Sequence, residues 1–227
     1  MANVAIITAR GGSKRIPKKN IKIFLDKPII AYGIEAALNS NCFEEVMVST
    51  DSEEIAEVAR RYGARVPFLR SDATASDNAT TSDSLLEVLS CYKDMGREFE
   101  FGCCIYPTAP FITGEKLQSA LQTLVKTGAD TVAPFVAYSY PPQRGFLIRD
   151  QHATMKYPEF INSRTQDLET IYHDSGQFYF FRVDSFLNNK QLWTDNIAGI
   201  VVSEMESQDI DTETDWKLAE MKYRLLL

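Results

Sequence analysis

Along the chain, short apolar runs alternate with longer segments whose apolar positions recur at helical spacing. Residues 4–8 predict a buried strand, and residues 9–27 a long loop rich in Gly, Lys, Arg and Pro. Pro28 suits a first helical turn, with the helix over 29–38 behind it. Residues 45–50 predict a second strand. Asp51 or Ser52 is placed to cap a helix over 53–62 that ends near Gly63, with Ile55, Val58 and Ala59 on its apolar face. A short strand at 65–69, a polar irregular stretch at 71–81 and a helix at 83–92 follow. The strand at 101–105 is broken by Pro107 and Pro110. Beyond it come a helix at 114–126 and a strand at 131–136.

Buried parallel strands joined by crossover helices explain this alternation, so the fold class is α/β. Residues 137–174 break the rhythm. They are rich in Pro, Tyr and Arg, have a strand-like piece at 145–148, and read as an inserted arm or small lobe. Residues 176–183 and 199–202 are returning strands, and 214–225 a closing helix with Asp211 or Thr212 near its start. With no internal repeat or linker, residues 1–227 read as one domain carrying the arm at 137–174.

Composition narrows the function. Lys plus Arg number 24 and Asp plus Glu 31, a net charge of -7 that weighs against nucleic acid or an anionic membrane as partner. Hydrophobic residues make up 44%, ample for a core. No apolar run approaches the roughly 18–20 residues of a membrane span, and the opening residues read as a strand, not a signal peptide. Cys42, Cys91, Cys103 and Cys104 form no CxxC spacing and read as free thiols in a reducing, cytoplasmic compartment.

Against this acidic background, Arg10, Lys14, Arg15, Lys18 and Lys19 put five cations in ten residues around Gly11 and Gly12. A glycine-rich loop exposes backbone N–H groups to anionic oxygens, and the cations add field and hydrogen bonds. The segment therefore reads as a phosphate-binding loop, with a solvated basic loop as the plainer alternative. It is neither a Walker A loop nor a GxGxxG fingerprint. Near the other end, Asp209 and Asp211 flank Ile210. In extended backbone both carboxylates share a face while Ile210 turns to the core, an oxygen set that suits Mg²⁺ bridged to phosphates. The plainer alternative is an acidic turn that caps a helix. A third polar set, Arg164, Tyr172, His173, Asp174 and Gln177, suits ligand recognition. The adjacency of His173 and Asp174 is poor evidence of a catalytic dyad.

Residues 7–20, Ile-Thr-Ala-Arg-Gly-Gly-Ser-Lys-Arg-Ile-Pro-Lys-Lys-Asn, resemble the opening of the CMP-sialic acid synthetase group, the acylneuraminate-type cytidylyltransferases. The resemblance continues through Val48-Ser49-Thr50-Asp51, Ala75-Ser76-Asp77, Pro107-Thr108 and Asp209-Ile210-Asp211-Thr212, and so spans the chain. It implies a Rossmann-like nucleotidyltransferase fold: a mostly parallel sheet flanked by helices, with a small dimerisation insertion at 137–174. It implies transfer of CMP from CTP to the anomeric hydroxyl of a nine-carbon 2-keto sugar acid, in a homodimer that uses Mg²⁺.

The resemblance also implies roles. Arg10, Lys19 and Asp211 would be catalytic, with Asp209 and Asp211 holding the metal. Ala9, Arg10, Gly11, Gly12, Ser13, Lys19, Asn20, Ser76, Thr81 and Ser82 would surround the nucleotide. Tyr106, Arg164, Tyr172, His173 and Gln177 would face the sugar. The sialic-acid branch has Leu-Gln-Pro-Thr-Ser-Pro where this chain has Ile105-Tyr106-Pro107-Thr108-Ala109-Pro110. It also has Arg-x-Asn-Gly-Ala-x-Tyr against residues 172–179 here. With residues 164–169, these departures look like the pseudaminic acid branch. The alternatives are N-acetylneuraminic, legionaminic or another ulosonic acid as acceptor, or a non-catalytic nucleotide-binding regulator.

Overall fold

In the computed structural model, which describes residues 2–227, the first strand β1 (Asn3–Thr8) lies inside a seven-stranded sheet. The long loop and a small hairpin of β2 (Ile23–Phe24) and β3 (Lys27–Pro28) lead into α1 (Ile29–Ser40). Then come β4 (Glu45–Ser49), α2 (Glu53–Arg61), the single turn α3 (Asp72–Ala75), α4 (Thr81–Asp94) and β5 (Phe101–Ile105). α5 (Gly114–Thr127) and β6 (Thr131–Ala137) follow, then the hairpin of β7 (Phe146–Arg149) and β8 (His152–Met155). The chain closes with β9 (Tyr172–Asp174), β10 (Phe178–Arg182), α6 (Val183–Asn189), β11 (Ile197–Val201) and α7 (Glu213–Leu226).

The strand order is β11-β6-β10-β5-β1-β4, with β9 pairing the end of β6. β1 is parallel to β4 and β5, β11 is parallel to β6, and β10 runs antiparallel between β5 and β6. The expected mostly parallel sheet is present, with a reversed strand near its centre. The inner stretches of its central strands are apolar because helices cover both faces. Ala5 and Ile7, Val46 and Val48, and Cys103 and Ile105 pack toward α1, α2 and α5. Their neighbours Val4, Ile6, Met47 and Cys104 pack toward α4 and α6, as a two-residue period requires. Ile55, Val58 and Ala59 are buried on one face of α2, as their spacing predicts. All four cysteines are free thiols.

Three expectations change. Residues 65–69 do not form a strand. Arg65 alone bridges Met47, through Arg65 N–H to Val46 O and Val48 N–H to Arg65 O. Pro67 then has no N–H with which to extend the ladder. The stretch at 71–81 is less irregular than expected, because Glu87 of α4 accepts hydrogen bonds from Ser71 N–H and the Thr74 hydroxyl and so holds α3. Finally, Tyr172–Asp174 at the end of the predicted arm is β9 of the main sheet, paired with Phe135–Ala137. The free-standing part of the arm is the β7–β8 hairpin and its flanks, where Tyr140, Phe146, Ile148 and Ile161 are exposed. Among the described residues no helix is long and apolar enough to cross a membrane.

A third apolar cluster lies beneath the long loop. Ile16, Phe24, Ile29, Tyr32 and Phe111 meet Ile210, Trp216 and Ala219 there. Phe24 is fully buried and touches Tyr32, Trp216 and Tyr223 edge-on, so it joins the start of the chain to its end.

At the opposite end of the sheet, the Glu45 side chain is buried and accepts hydrogen bonds from Tyr92, Arg65 and Arg97. Burial pushes its carboxyl pKa up, but the bonds from Arg97 and Tyr92 and the two guanidinium charges outweigh burial and leave it below the ordinary value. The group therefore stabilises the fold above the unfolded pKa of about 4.3, and that contribution is lost as pH falls through the lower folded pKa. Between about pH 5 and pH 3, the urea midpoint of Glu45→Gln is expected to fall less steeply than that of the wild type. Parallel slopes would remove Glu45 from the acid response.

Candidate active site

Thr8 pairs with Ser49, Ile7 with Ile105, and Ile105 with Phe178. The carboxyl ends of β1, β4 and β5 and the start of the reversed β10 therefore share one sheet edge. This is where ligands bind in open α/β sheets. Two cavities open there, of about 430 and 220 Å³, and both are lined by Thr8, Arg10 and Tyr106.

The larger cavity is formed by the basic loop, with Gly12, Ser13, Lys14, Arg15, Lys19 and Asn20 facing Pro107 and Thr108. The loop is held from behind. Ala9 is buried and donates its N–H to Ser49 O at 2.9 Å. Gly11 N–H donates to the Asp51 carboxylate at 2.7 Å, and the buried Asn20 amide donates to Arg10 O at 2.8 Å. Ile16 is pinned in the third apolar cluster. Ala9, Gly11 and Asn20 thus shape the loop. Gly12 has nothing within 4 Å of where a Cβ would stand, leaving its backbone open to a ligand. The two candidate caps for α2 divide the work: Ser52 accepts from Ile55 N–H, while Asp51 secures the loop.

The smaller cavity adds Arg70, Thr74, Ser76, Asp77, Ala79, Thr80, Thr81 and Ser84. Arg70 is buried and donates to Ser49 Oγ at 3.0 Å and Ser49 O at 2.9 Å, and it makes no salt bridge among the described residues. Burial lowers its pKa, against the opposing charges of Asp51 and Glu87. A buried guanidinium with only neutral acceptors beside a cavity suits a ligand rich in acceptor atoms. Thr80 caps α4 in a capping box with Asp83, and this presents Thr81 to the cavity. Ser82, in the same turn, lines neither cavity. Asp77 bridges Lys14 at 2.5 Å and Arg10 at 3.0 Å. The Lys14 ammonium, then Arg10, holds its carboxyl below the usual range.

Tyr106 forms the wall between the cavities. Its hydroxyl lies 3.2 Å from Thr81 Oγ1, and its ring meets Tyr179 edge-on at 5.5 Å. Tyr179 donates to Asp174, whose other oxygen accepts from Gly176 N–H at 2.9 Å. Asp174 is therefore committed to Tyr179, while the His173 ring packs against Tyr138 and its Nδ1 lies 2.9 Å from the Asp174 carbonyl oxygen. No His–Asp dyad forms. Of the other residues expected to face the sugar, Gln177 turns inward: its amide donates to Glu206 O while its carbonyl oxygen is buried without a partner. It directly precedes β10, and its own backbone oxygen accepts Tyr106 N–H, which ties it to the sheet. Arg164 lies on the arm, paired with Asp167, and Tyr172 and His173 lie on β9. None of the three lines either cavity.

In the Asp209–Asp211 segment the expected inward turn of Ile210 is present. Ile210 is buried in the third cluster, and Thr212 caps α7 in a box with Asp215. Asp211 then meets the loop, with Oδ1 2.8 Å from Arg15 and 3.6 Å from Lys19. Lys19 also donates to Ile210 O at 2.7 Å. Among the described residues no group of three or more His, Cys, Asp or Glu could hold a metal. Asp211 beside the basic loop, with Asp209 two residues before it, is a donor set of the kind Mg²⁺ takes, since that ion needs one or two carboxylates and completes its shell with waters and substrate phosphates.

Sequence reasoning missed Arg70, Asp77 and Ser84 as cavity residues. The available signal was position alone, since each lies in or beside the polar stretch that follows the β4–α2 unit.

A family model described as Cytidylyltransferase matches residues 4–210. The chain is 36% identical over 226 residues to a pseudaminic acid cytidylyltransferase of Campylobacter jejuni, covering 99% of this chain and 97% of that protein. It is also 36% identical to a CMP-N,N'-diacetyllegionaminic acid synthase of Legionella pneumophila, covering 97% and 95%. Its fold matches a solved CMP:2-keto-3-deoxy-manno-octonic acid synthetase complexed with CTP, with a TM-score of 0.74, 19% identity and full coverage of both chains.

Proposed function

The chain belongs to the cytidylyltransferase family, and from that premise we propose that it transfers CMP from CTP to the anomeric hydroxyl of pseudaminic acid, with Mg²⁺ as its metal and pyrophosphate as the second product. The observation that carries this reading is the pair of adjacent cavities at the carboxyl edge of the sheet, one cationic and one small and polar, with Asp211 paired to Arg15 of the larger one.

In this reading the smaller cavity takes the cytidine, with Arg70 offering donors to the base. The triphosphate lies along Gly12, Ser13, Lys14 and Lys19, and the sugar acid approaches from the side of Tyr106 and Thr108. The anomeric oxygen attacks the α-phosphorus as its proton passes to solvent, and the bond to pyrophosphate breaks. Arg10 and Lys19 offset the charge that gathers on the leaving oxygens, and the cavity walls align two anionic reactants. Mg²⁺ held by Asp209 and Asp211 would screen the phosphate charges and polarise their oxygens. The acceptor assignment is supported by Tyr106 and residues 172–179, where the chain departs from the sialic-acid pattern, and by the full-length Campylobacter relative.

The exposed apolar side chains of the β7–β8 arm support a homodimer built through that arm. We assign the reaction to the cytoplasm, where four free thiols would stay reduced.

Pyrophosphate release from CTP and Mg²⁺, measured over a panel of pseudaminic, legionaminic, N-acetylneuraminic and eight-carbon ulosonic acids, tests the reading. The highest kcat/KM is expected with pseudaminic acid. Preference for another acid overturns the acceptor, and no release with any acid leaves a nucleotide-binding regulator.

A further inference from the structure

We propose that Arg15 is an exchangeable cation of the active site, which occupies Asp211 until a divalent ion arrives and then turns to the oxygens of the triphosphate. The proposal rests on the reading of Asp209 and Asp211 as the metal carboxylates.

Two cations share one oxygen, Asp211 Oδ1, but they are held differently. Lys19 is fixed: its ammonium donates to Ile210 O at 2.7 Å, and Ile210 is itself anchored by a buried side chain. Only 20% of the Lys19 side chain is exposed. Arg15 is free to move. Its side chain is 67% exposed, and the Asp211 carboxylate at 2.8 Å is the partner it has among the described residues. Its neighbours Arg10, Gly12, Lys14 and Lys19 line the same cavity, where the triphosphate is expected.

A dication on Asp211 repels a guanidinium 2.8 Å from the same carboxylate oxygen, so the metal and Arg15 compete for Asp211. Lys19, 3.6 Å from that oxygen and held by Ile210 O, stays in place, and Arg15 is the cation free to move. The exchange needs no proton transfer, since the guanidinium stays charged, and its planar fork fits phosphate oxygens as well as a carboxylate. The same side chain thus neutralises Asp211 before metal binding and then adds positive charge where the pyrophosphate leaves. An exposed ion pair of this kind is weak, which keeps the exchange reversible. Its loss should alter metal affinity by about two- to fivefold.

The test uses Mn²⁺ as probe, with free Mn²⁺ followed by electron paramagnetic resonance on the full chain without nucleotide. Arg15→Gln is expected to bind Mn²⁺ about two- to fivefold more tightly than the wild type, and Arg15→Lys to stay near it. Asp211→Asn should bind markedly more weakly. With CTP and the sugar acid, Arg15→Gln should raise the KM for CTP while its melting temperature stays at the wild-type value. Unchanged or weaker Mn²⁺ binding by Arg15→Gln, with Asp211→Asn impaired, overturns the exchange and leaves the metal reading standing. An unchanged KM for CTP overturns the turn to the triphosphate. Mn²⁺ binding indifferent to Asp211→Asn overturns the metal reading, and the exchange with it.

Discussion

Lys19→Ala is expected to lower turnover about a hundred- to a thousandfold, the range for removing one preorganised group that meets developing charge. The side chain is preorganised by its surroundings. It leaves the short 3₁₀ turn Lys19–Ile21, whose entry residue Lys18 adopts φ 52, and the turn is closed by Ile21 and Lys22 N–H bonds to Lys18 O. The ammonium is then held by Ile210 O at 2.7 Å, at the junction of the loop and the Asp209–Asp211 segment. Arg10 and Lys14 share the exposed Asp77, and Lys18 pairs with Glu54 away from the cavity. Because the charge Lys19 meets grows only as pyrophosphate departs, kcat should fall much more than the KM for CTP rises. Steady-state kinetics on a variant of wild-type melting temperature checks this. A loss of less than about tenfold would remove Lys19 from the proposed machinery.

Phe24→Ala is expected to destabilise the chain by about 3–5 kcal/mol, the range for deleting a buried aromatic ring. Phe24 is fully buried, and three aromatic rings meet it edge-on, with centroids at 5.4, 5.6 and 5.8 Å from its own. Little can collapse into the space, because Tyr32 and Trp216 are tied by hydrogen bonds to Asp26 and Glu220. The cluster also carries Ile16 of the loop and Ile210 of the Asp209–Asp211 segment. Loosening it should therefore separate Lys19 and Arg15 from Asp211. Urea unfolding measures the first effect, and turnover well below the melting temperature the second. A loss of stability below about 1 kcal/mol would show that the cluster relaxes around the missing ring.

Most of the framework was legible in sequence because its causes are local. Apolar runs bounded by polar loops mark strands covered on both faces, and Ile55, Val58 and Ala59 mark the buried face of α2 by their spacing alone. The alternation Asp209-Ile210-Asp211 likewise foretold that Ile210 would point to the core. Where the reading failed, a non-local or backbone effect decided. Pro67 ended the strand expected at 65–69 after a single bridge. Gln177 was drawn inward because β10 runs antiparallel beside β5, a direction no period along the chain encodes.

By itself, the sequence determined the alternating α/β framework, the concentration of cations between Arg10 and Lys19, and the inward turn of Ile210 between Asp209 and Asp211. Only the tertiary structure decided what each charge does. Asp77 took Arg10 and Lys14, Asp211 took Arg15 and Lys19, and Arg70 was buried beside the smaller cavity with no salt bridge among the described residues. The physical reason is that periodicity follows bonds along the chain, whereas charges act through space. Strand order and the Phe24 cluster bring together ends of the chain that local pattern cannot relate.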